Sequence, residues 1–205
     1  MGHPKFSEED FLGAALAIVA ERGVSRVTVA SVCERLGSPT GSFYHRFASR
    51  DVLLGSLWLR AVLEFQAGTA AALAAEDGLR AALHTPAWVR KHLAEARLLL
   101  LHDRKDFLQG DWPAELRERV AEMTRRLETG SQRWARAIFG RAGREEIRLA
   151  QFLISELPVT LVRQHLLLAE PPPPLIDRII RATYRAILAD YRARKSRTRS
   201  RHTGP

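Results

Sequence analysis

The 205-residue chain contains a single cysteine, Cys33, so no intramolecular disulfide can form and no cysteine cluster can hold a metal. No apolar run reaches the roughly 18 residues that a membrane-spanning helix needs, and the N-terminus lacks the apolar core of a signal peptide. A cytoplasmic protein with no membrane partner is expected. Strand signals are also missing, because no stretch alternates apolar and polar residues between paired turn residues. Catalytic signatures are equally scarce. Ser42, His45 and Asp51 do not form a nucleophile elbow, and His84 and His92 lie eight residues apart without a third ligand at recognisable spacing. No catalytic residue, metal site or cofactor is expected.

What is present is apolar periodicity of the helical kind, with 46% hydrophobic residues, enough for a small head and a larger body. The net charge of +9 suggests a polyanionic partner until its position is considered. Residues 1–50 hold six basic and five acidic groups, residues 51–191 twenty and eighteen, and residues 192–205 six and none. Two thirds of the excess therefore sits in the last fourteen residues. That segment has almost no apolar content and reads as a disordered basic tail, either a plain solvated end or a source of added nonspecific phosphate binding.

Residues 28–51 carry the most specific signal. Val29, Val32, Cys33 and Leu36 recur at helical spacing behind Thr28, a competent N-cap. Gly37 can end that helix in the left-handed conformation. Ser38 offers a second N-cap and Pro39 suits the first position of a new helix. That second helix carries Thr40, Gly41, Ser42 and His45 outward, with Phe43 and Phe47 as its apolar anchor. Small polar groups on a short helix allow close approach to a groove or a phosphate. An earlier helix runs from Ser7, paired with Asp10 in a capping box, through Phe11, Leu12, Ala15, Leu16 and Val19 towards Gly23. Ser49 caps a longer one that follows. Three helices in about fifty residues, the last two tightly joined, make a helix-turn-helix framework. Arg26, Arg46 and Arg50 lie near its expected contact surface.

These residues resemble the TetR family of transcriptional regulators. The resemblance covers residues 6 to about 58 and rests on Ala14-Ala15-Leu16 with Glu21-Arg22-Gly23, Thr28-Val29, residues 32–37, the run Gly41-Ser42-Phe43-Tyr44-His45-Arg46-Phe47, and Ser49-Arg50-Asp51. It implies a homodimer on a roughly palindromic double-stranded DNA operator, released by a small-molecule effector bound to the C-terminal domain. Carried over position by position, Thr28 resembles a phosphate contact, and Ser38, Pro39, Thr40, Gly41 and Ser42 with Tyr44 and His45 resemble the recognition surface. Arg50 stands where the family usually has a phosphate-touching lysine. Pro39 and Thr40 depart from the common pattern, so base preference does not transfer.

The expected organisation is all-α: a three-helix helix-turn-helix domain over residues 1–48, a helical effector-binding and dimerisation domain over 49–191, and the tail over 192–205. Breaks are expected at 77–78, 85–86, 110–113, 140–143 and 171–174, with a kink at Pro158. The stripes over 144–168 and 176–191 are wide enough to serve both a core and a partner subunit. Trp88, His92, Phe152 and Glu156 combine large aromatics with placed polar groups, the usual make-up of an apolar or aromatic effector site. The competing reading is a helical adaptor whose head no longer binds DNA. Binding to the DNA flanking its gene would separate the two.

Overall fold

The computed structural model describes residues 6–202. Ten α-helices run through the described residues: α1 (Glu8–Arg22), α2 (Val29–Leu36), α3 (Thr40–Tyr44), α4 (Arg50–Ala74), α5 (Gly78–Lys91), α6 (Leu93–Leu101), α7 (Ala114–Phe139), α8 (Arg144–Gln151), α9 (Leu157–Leu167) and α10 (Pro174–His202). The expected caps form. Ser7 and Asp10 bond reciprocally across the first turn of α1, and Ser49 Oγ accepts the Val52 N–H at 3.2 Å at the start of α4. The fold is all-α among the described residues, with a helix-turn-helix head and a larger helical body.

Two hydrophobic cores organise these helices. In the head, Phe11, Phe43 and Phe47 are almost fully buried and meet edge-on or tilted, with centroids 5.7 to 6.3 Å apart. Arg46 lays its guanidinium over the Phe11 ring. This core does not stop at residue 48. It continues through Leu53, Leu54, Leu57 and Trp58 of α4 and takes in Leu98, Phe107, Leu116, Val120 and Met123 from α6, α7 and the loop between them. The second core holds Ala72, Trp88, Val89, Leu153, Ile154, Val162, Leu166, Ile180 and Tyr184. At about 25 cal/mol per Å² of apolar area buried, such contacts dominate the stability of both ends.

Proline acts differently at three places. The expected break at 85–86 does not occur: Pro86 is buried inside α5, which continues to Lys91, and the chain bends instead at His92 (φ −130°, ψ 54°). The packing of α5 against α4, α9, α10 and the π turn before α9 outweighs the lost hydrogen bond. Pro158 does mark a disturbance. A π-helical turn, Phe152–Glu156, precedes it, and the Leu157 N–H reaches back to the Phe152 carbonyl. Widening the helix there accommodates a ring that would otherwise press on the carbonyl four residues earlier. The connector at 171–174 is pinned by Arg90, whose guanidinium donates to the Pro172 and Pro173 carbonyls and to both oxygens of Asp177.

The basic tail departs from expectation. It continues α10 to His202 as helix, and residues 203–205 lie outside the described residues. Arginine and lysine are good helix formers, and here acids hold them in place. Arg194 pairs with Asp190 one turn back and with Glu145 of α8, both at 2.9 Å, and Lys195 stands 3.5 Å from Glu146 and over the Tyr191 ring. Glu146 is 1% exposed. Its Oε1 accepts the Tyr191 hydroxyl at 2.6 Å and lies 3.2 Å from Arg141 Nε. The Tyr191 bond, with the nearby Arg141 and Lys195 charges, holds this carboxyl below the usual 4.5 despite burial. Burial and the same hydrogen bond push the phenol up to about 12.

Glu146→Gln should therefore destabilise the protein by about 1–3 kcal/mol, because a buried charge-assisted hydrogen bond and two ion partners are weakened together. The Glu146 contribution should be complete above about pH 4.5 and decline as the pH falls through the lowered folded value. Urea denaturation of wild type and E146Q between pH 3 and 7 checks both: the two should converge at the acid end.

Candidate nucleic-acid interface and effector site

The corner between α2 and α3 is closed by backbone geometry. Gly37 takes the left-handed conformation (φ 63°, ψ 32°), and its N–H and that of Ser38 return to the Glu34 and Cys33 carbonyls at 3.1 and 2.9 Å. This pair of bonds ends α2 and turns the chain at once. Ser38 was expected to cap α3. Instead Pro39 occupies the cap position with no side-chain bond, and its carbonyl accepts the Ser42 N–H at 2.9 Å. The Ser38 hydroxyl is buried without a partner.

On the outer side, Thr28, Pro39, Thr40, Gly41, Tyr44 and His45 are exposed, and Ser38 and Ser42 are half-buried. Tyr44 is 57% exposed, an unusual position for a large aromatic ring. It stands edge-on to the buried Phe43, 5.4 Å away. A Cβ built on Gly41 would meet nothing within 4 Å, so packing within the chain does not demand glycine there. Thr28 Oγ1 accepts the Ser31 N–H at 3.0 Å while Ser31 Oγ accepts the Thr28 N–H at 2.9 Å, which leaves the N-terminus of α2 exposed beside a rigid cap. Helix N-termini of this kind attract phosphate. Ser31, the reciprocal half of this cap, was absent from the sequence reading, although its spacing three residues after Thr28 could have shown it.

The basic residues sort differently from expectation. Arg50 is turned inward: Nε donates to the Val27 carbonyl at 2.5 Å, one terminal nitrogen to the Val24 carbonyl at 3.1 Å, and the other to Asp51. The Val24 carbonyl also accepts the Val27 N–H at 3.1 Å across the 3-10 turn Val24–Arg26, so the guanidinium adds a second donor there and serves the Val27 carbonyl just past the turn. In this arrangement Arg50 latches the approach to α2 rather than reaching outward. Arg46 also faces inward, with one nitrogen donating to the Ser42 carbonyl at 2.9 Å. Arg26 is the basic side chain of the three that remains exposed.

The four expected effector residues do not converge on one point. Trp88 and His92 stack on successive turns at the end of α5, rings 5.1 Å apart and 16° from parallel, with Phe65 edge-on to Trp88 and Glu64 3.4 Å from His92. The Trp88 indole N–H is buried and has no partner. Phe152 opens the π turn and packs on the same core. Glu156 is not aimed inward; it is exposed and bound to Arg148 at 2.6 Å, where a carboxylate keeps both water and a cation. None of the four lines the groove of about 440 Å³ between α4, α5 and α10. No group of three or more potential metal ligands occurs among the described residues. No helix there is long and apolar enough to cross a membrane.

Residues 11–57 match the family model for bacterial regulatory proteins of the tetR family. The head is a TetR-family helix-turn-helix domain. The match runs from α1 to the first turns of α4, the segment that supplies most of the first core. No curated protein matches the chain. Among solved structures it is similar to the fatty acid degradation regulator FadR from Bacillus halodurans, at 16% identity over 92% of this chain and 96% of that one, with a TM-score of 0.59. It is similar to the ketosteroid transcriptional regulator KstR2 of Mycobacterium tuberculosis, at 19% identity over 91% and 95%, TM-score 0.60. FadR from Bacillus subtilis in complex with stearoyl-CoA gives 17% identity over 85% and 97%, TM-score 0.55. At these identities the likeness establishes the fold alone, a small helical head on a larger helical body over nearly the whole chain.

Two substitutions separate folding from contact. Gly41→Ala should keep or raise the thermal midpoint, because alanine is up to about 1 kcal/mol better inside a helix. It should nonetheless weaken DNA binding at least tenfold if this face meets DNA, as anisotropy with flanking-gene DNA would read. Arg50→Ala should instead lower the midpoint, with about 1–3 kcal/mol of stability lost, because the Val27 carbonyl loses its guanidinium donor and the Val24 carbonyl its second one.

Proposed function

We propose that this protein is a homodimeric transcriptional repressor that holds a palindromic operator with two heads and releases it when a small apolar or aromatic molecule binds the body. The reading rests chiefly on α4. One uninterrupted helix begins under the recognition corner at the Ser49 cap and ends in the wall of the second core at Ala72. Displacement at its far end is therefore carried to the head without a flexible joint.

The DNA-reading surface in this proposal is Thr28, Ser38, Pro39, Thr40, Gly41, Ser42, Tyr44 and His45, with Arg26 added and Arg50 assigned to positioning. Two such surfaces must stand about 34 Å apart, or a small multiple, to enter successive major grooves. An effector that favours another separation by a few kcal/mol empties the operator. The dimer is supported by Leu167, Leu168, Leu175 and Ile179, large apolar side chains left exposed around the α9–α10 connector and suited to a second copy of the same chain. The effector reading is supported by the unpaired Trp88 N–H, a buried donor that a ligand acceptor would satisfy, and by the adjacent π turn, a feature frequent at functional sites. Relatives of the same fold include a protein crystallised with stearoyl-CoA and one named for ketosteroid regulation.

Mobility shift with the DNA upstream of the gene should give a saturable complex of two chains per site. Absence of binding there, with tight capture of a protein partner, would favour the adaptor reading. Leu168→Glu combined with Ile179→Glu should convert a sedimenting dimer into a monomer and cut operator affinity by tenfold or more. For the effector, Trp88 fluorescence against a metabolite panel should identify compounds that also release DNA. Trp88→Phe should weaken such a compound about tenfold, the loss of one hydrogen bond.

A further inference from the structure

A groove lies on the outer side of the body, apart from Trp88 and from the recognition corner. The groove between α4, α5 and α10 has a volume of about 440 Å³, within the range of small-molecule sites. Its floor is apolar: the small residues Gly68 and Ala71 of α4 and Ala87 of α5, with the larger Leu83 of α5. Leu79 adds a further apolar wall. Arg80 of α5 and Arg181 of α10 stand at its sides.

Two guanidiniums line this groove. Elsewhere in the body Arg90 is held by Asp177 and two carbonyls, Arg148 by Glu156, and Arg194 by Glu145 and Asp190. Neither Arg80 nor Arg181 has a side-chain partner among the described residues. Asp77, the acid that shares the groove, uses Oδ1 to accept the Arg80 backbone N–H at 2.8 Å and cap α5. Two planar cations facing one apolar trough make a receptor for an oxyanion carried on an apolar body.

His84 completes the lining and fixes its own hydrogen-bonding sense. Its Nε2 lies 2.7 Å from the Phe65 carbonyl, which only accepts, so Nε2 carries the proton. Burial lowers the affinity of the ring for a second proton, and the nearby His92 adds to that. Nδ1 is then an acceptor. Gly68 makes room for the ring: any Cβ there would run into the imidazole. The glycine thus keeps the trough open and the histidine against α4.

We propose that this groove binds an amphipathic oxyanion, a carboxylate or phosphate ester on an unbranched or flat apolar body, gripped at its head by Arg80 and Arg181 and lying on Leu83, Ala71 and Ala87. The proposal is independent of DNA recognition, since binding is read on the free full-length chain. Titration calorimetry below the micelle concentration should show one decanoate, or one decyl phosphate, per chain with a dissociation constant at or below roughly 1 mM. Whichever of the two binds more tightly identifies the head group. Decanol and inorganic phosphate should each bind at least tenfold more weakly. Arg80→Gln with Arg181→Gln should weaken the anion tenfold or more, and Ala87→Phe, at an exposed position, should abolish binding by filling the trough. Thermal midpoints matching wild type show that the variants fold. No saturable binding of either anion, equal binding by decanol or by phosphate alone, or an unchanged affinity in the double arginine variant would each overturn the assignment.

Discussion

The burial of Leu53, Leu54 and Leu57 between head and body is the constraint on which the remaining architecture depends. These side chains belong to a helix of the body but fill the core of the head. The head therefore has no separate interior to which it could retreat. Around them the loop between α6 and α7 forms a second layer. Phe107 is buried, Arg104 lies over the Trp58 ring, and the Trp112 ring approaches Gly55 closely enough that a Cβ there would be crowded. Glu9 and Arg60 add an ion pair between α1 and α4. The recognition corner is thus carried on a rigid mount, and motion between head and body means motion of α4 itself.

Much of the head was legible in the sequence because its signals are local. Caps at Ser7, Thr28 and Ser49, the left-handed Gly37 and the Phe43–Phe47 anchor each involve residues within four positions of one another, and each took the expected form. The misread residues are those whose partners are distant. Arg50 bonds to carbonyls 23 and 26 residues earlier, which no spacing rule indicates. Pro86 lies within a helix because tertiary packing supports α5 on several sides, and the tail is helical because Glu145 and Glu146 of α8 meet it. Effector residues were the least legible. Trp88, His92 and Phe152 lie along the second core while Glu156 faces outward, and the separate groove is lined by Gly68, Arg80, His84 and Arg181, residues with no mutual pattern along the chain.

Charge shows the same difference between composition and placement. The excess positive charge belongs mainly to the end of α10, where part of it is neutralised by acids of α8 and α10. In the head, two of three arginines near the contact face serve internal carbonyls or aromatic rings. Affinity for DNA in such a head comes from helix N-termini, hydroxyls and a few exposed cations more than from net charge.

The Arg90 contacts to the proline connector bear on a different matter, the entropy of association. A run of four prolines already has few backbone conformations to lose, and Arg90 fixes its direction through two carbonyls and Asp177. Leu168 and Leu175, which flank that run, are therefore displayed from a segment with little freedom left to surrender. A surface that meets them encounters groups already ordered before contact, so less of the free energy of burial is consumed in immobilising them.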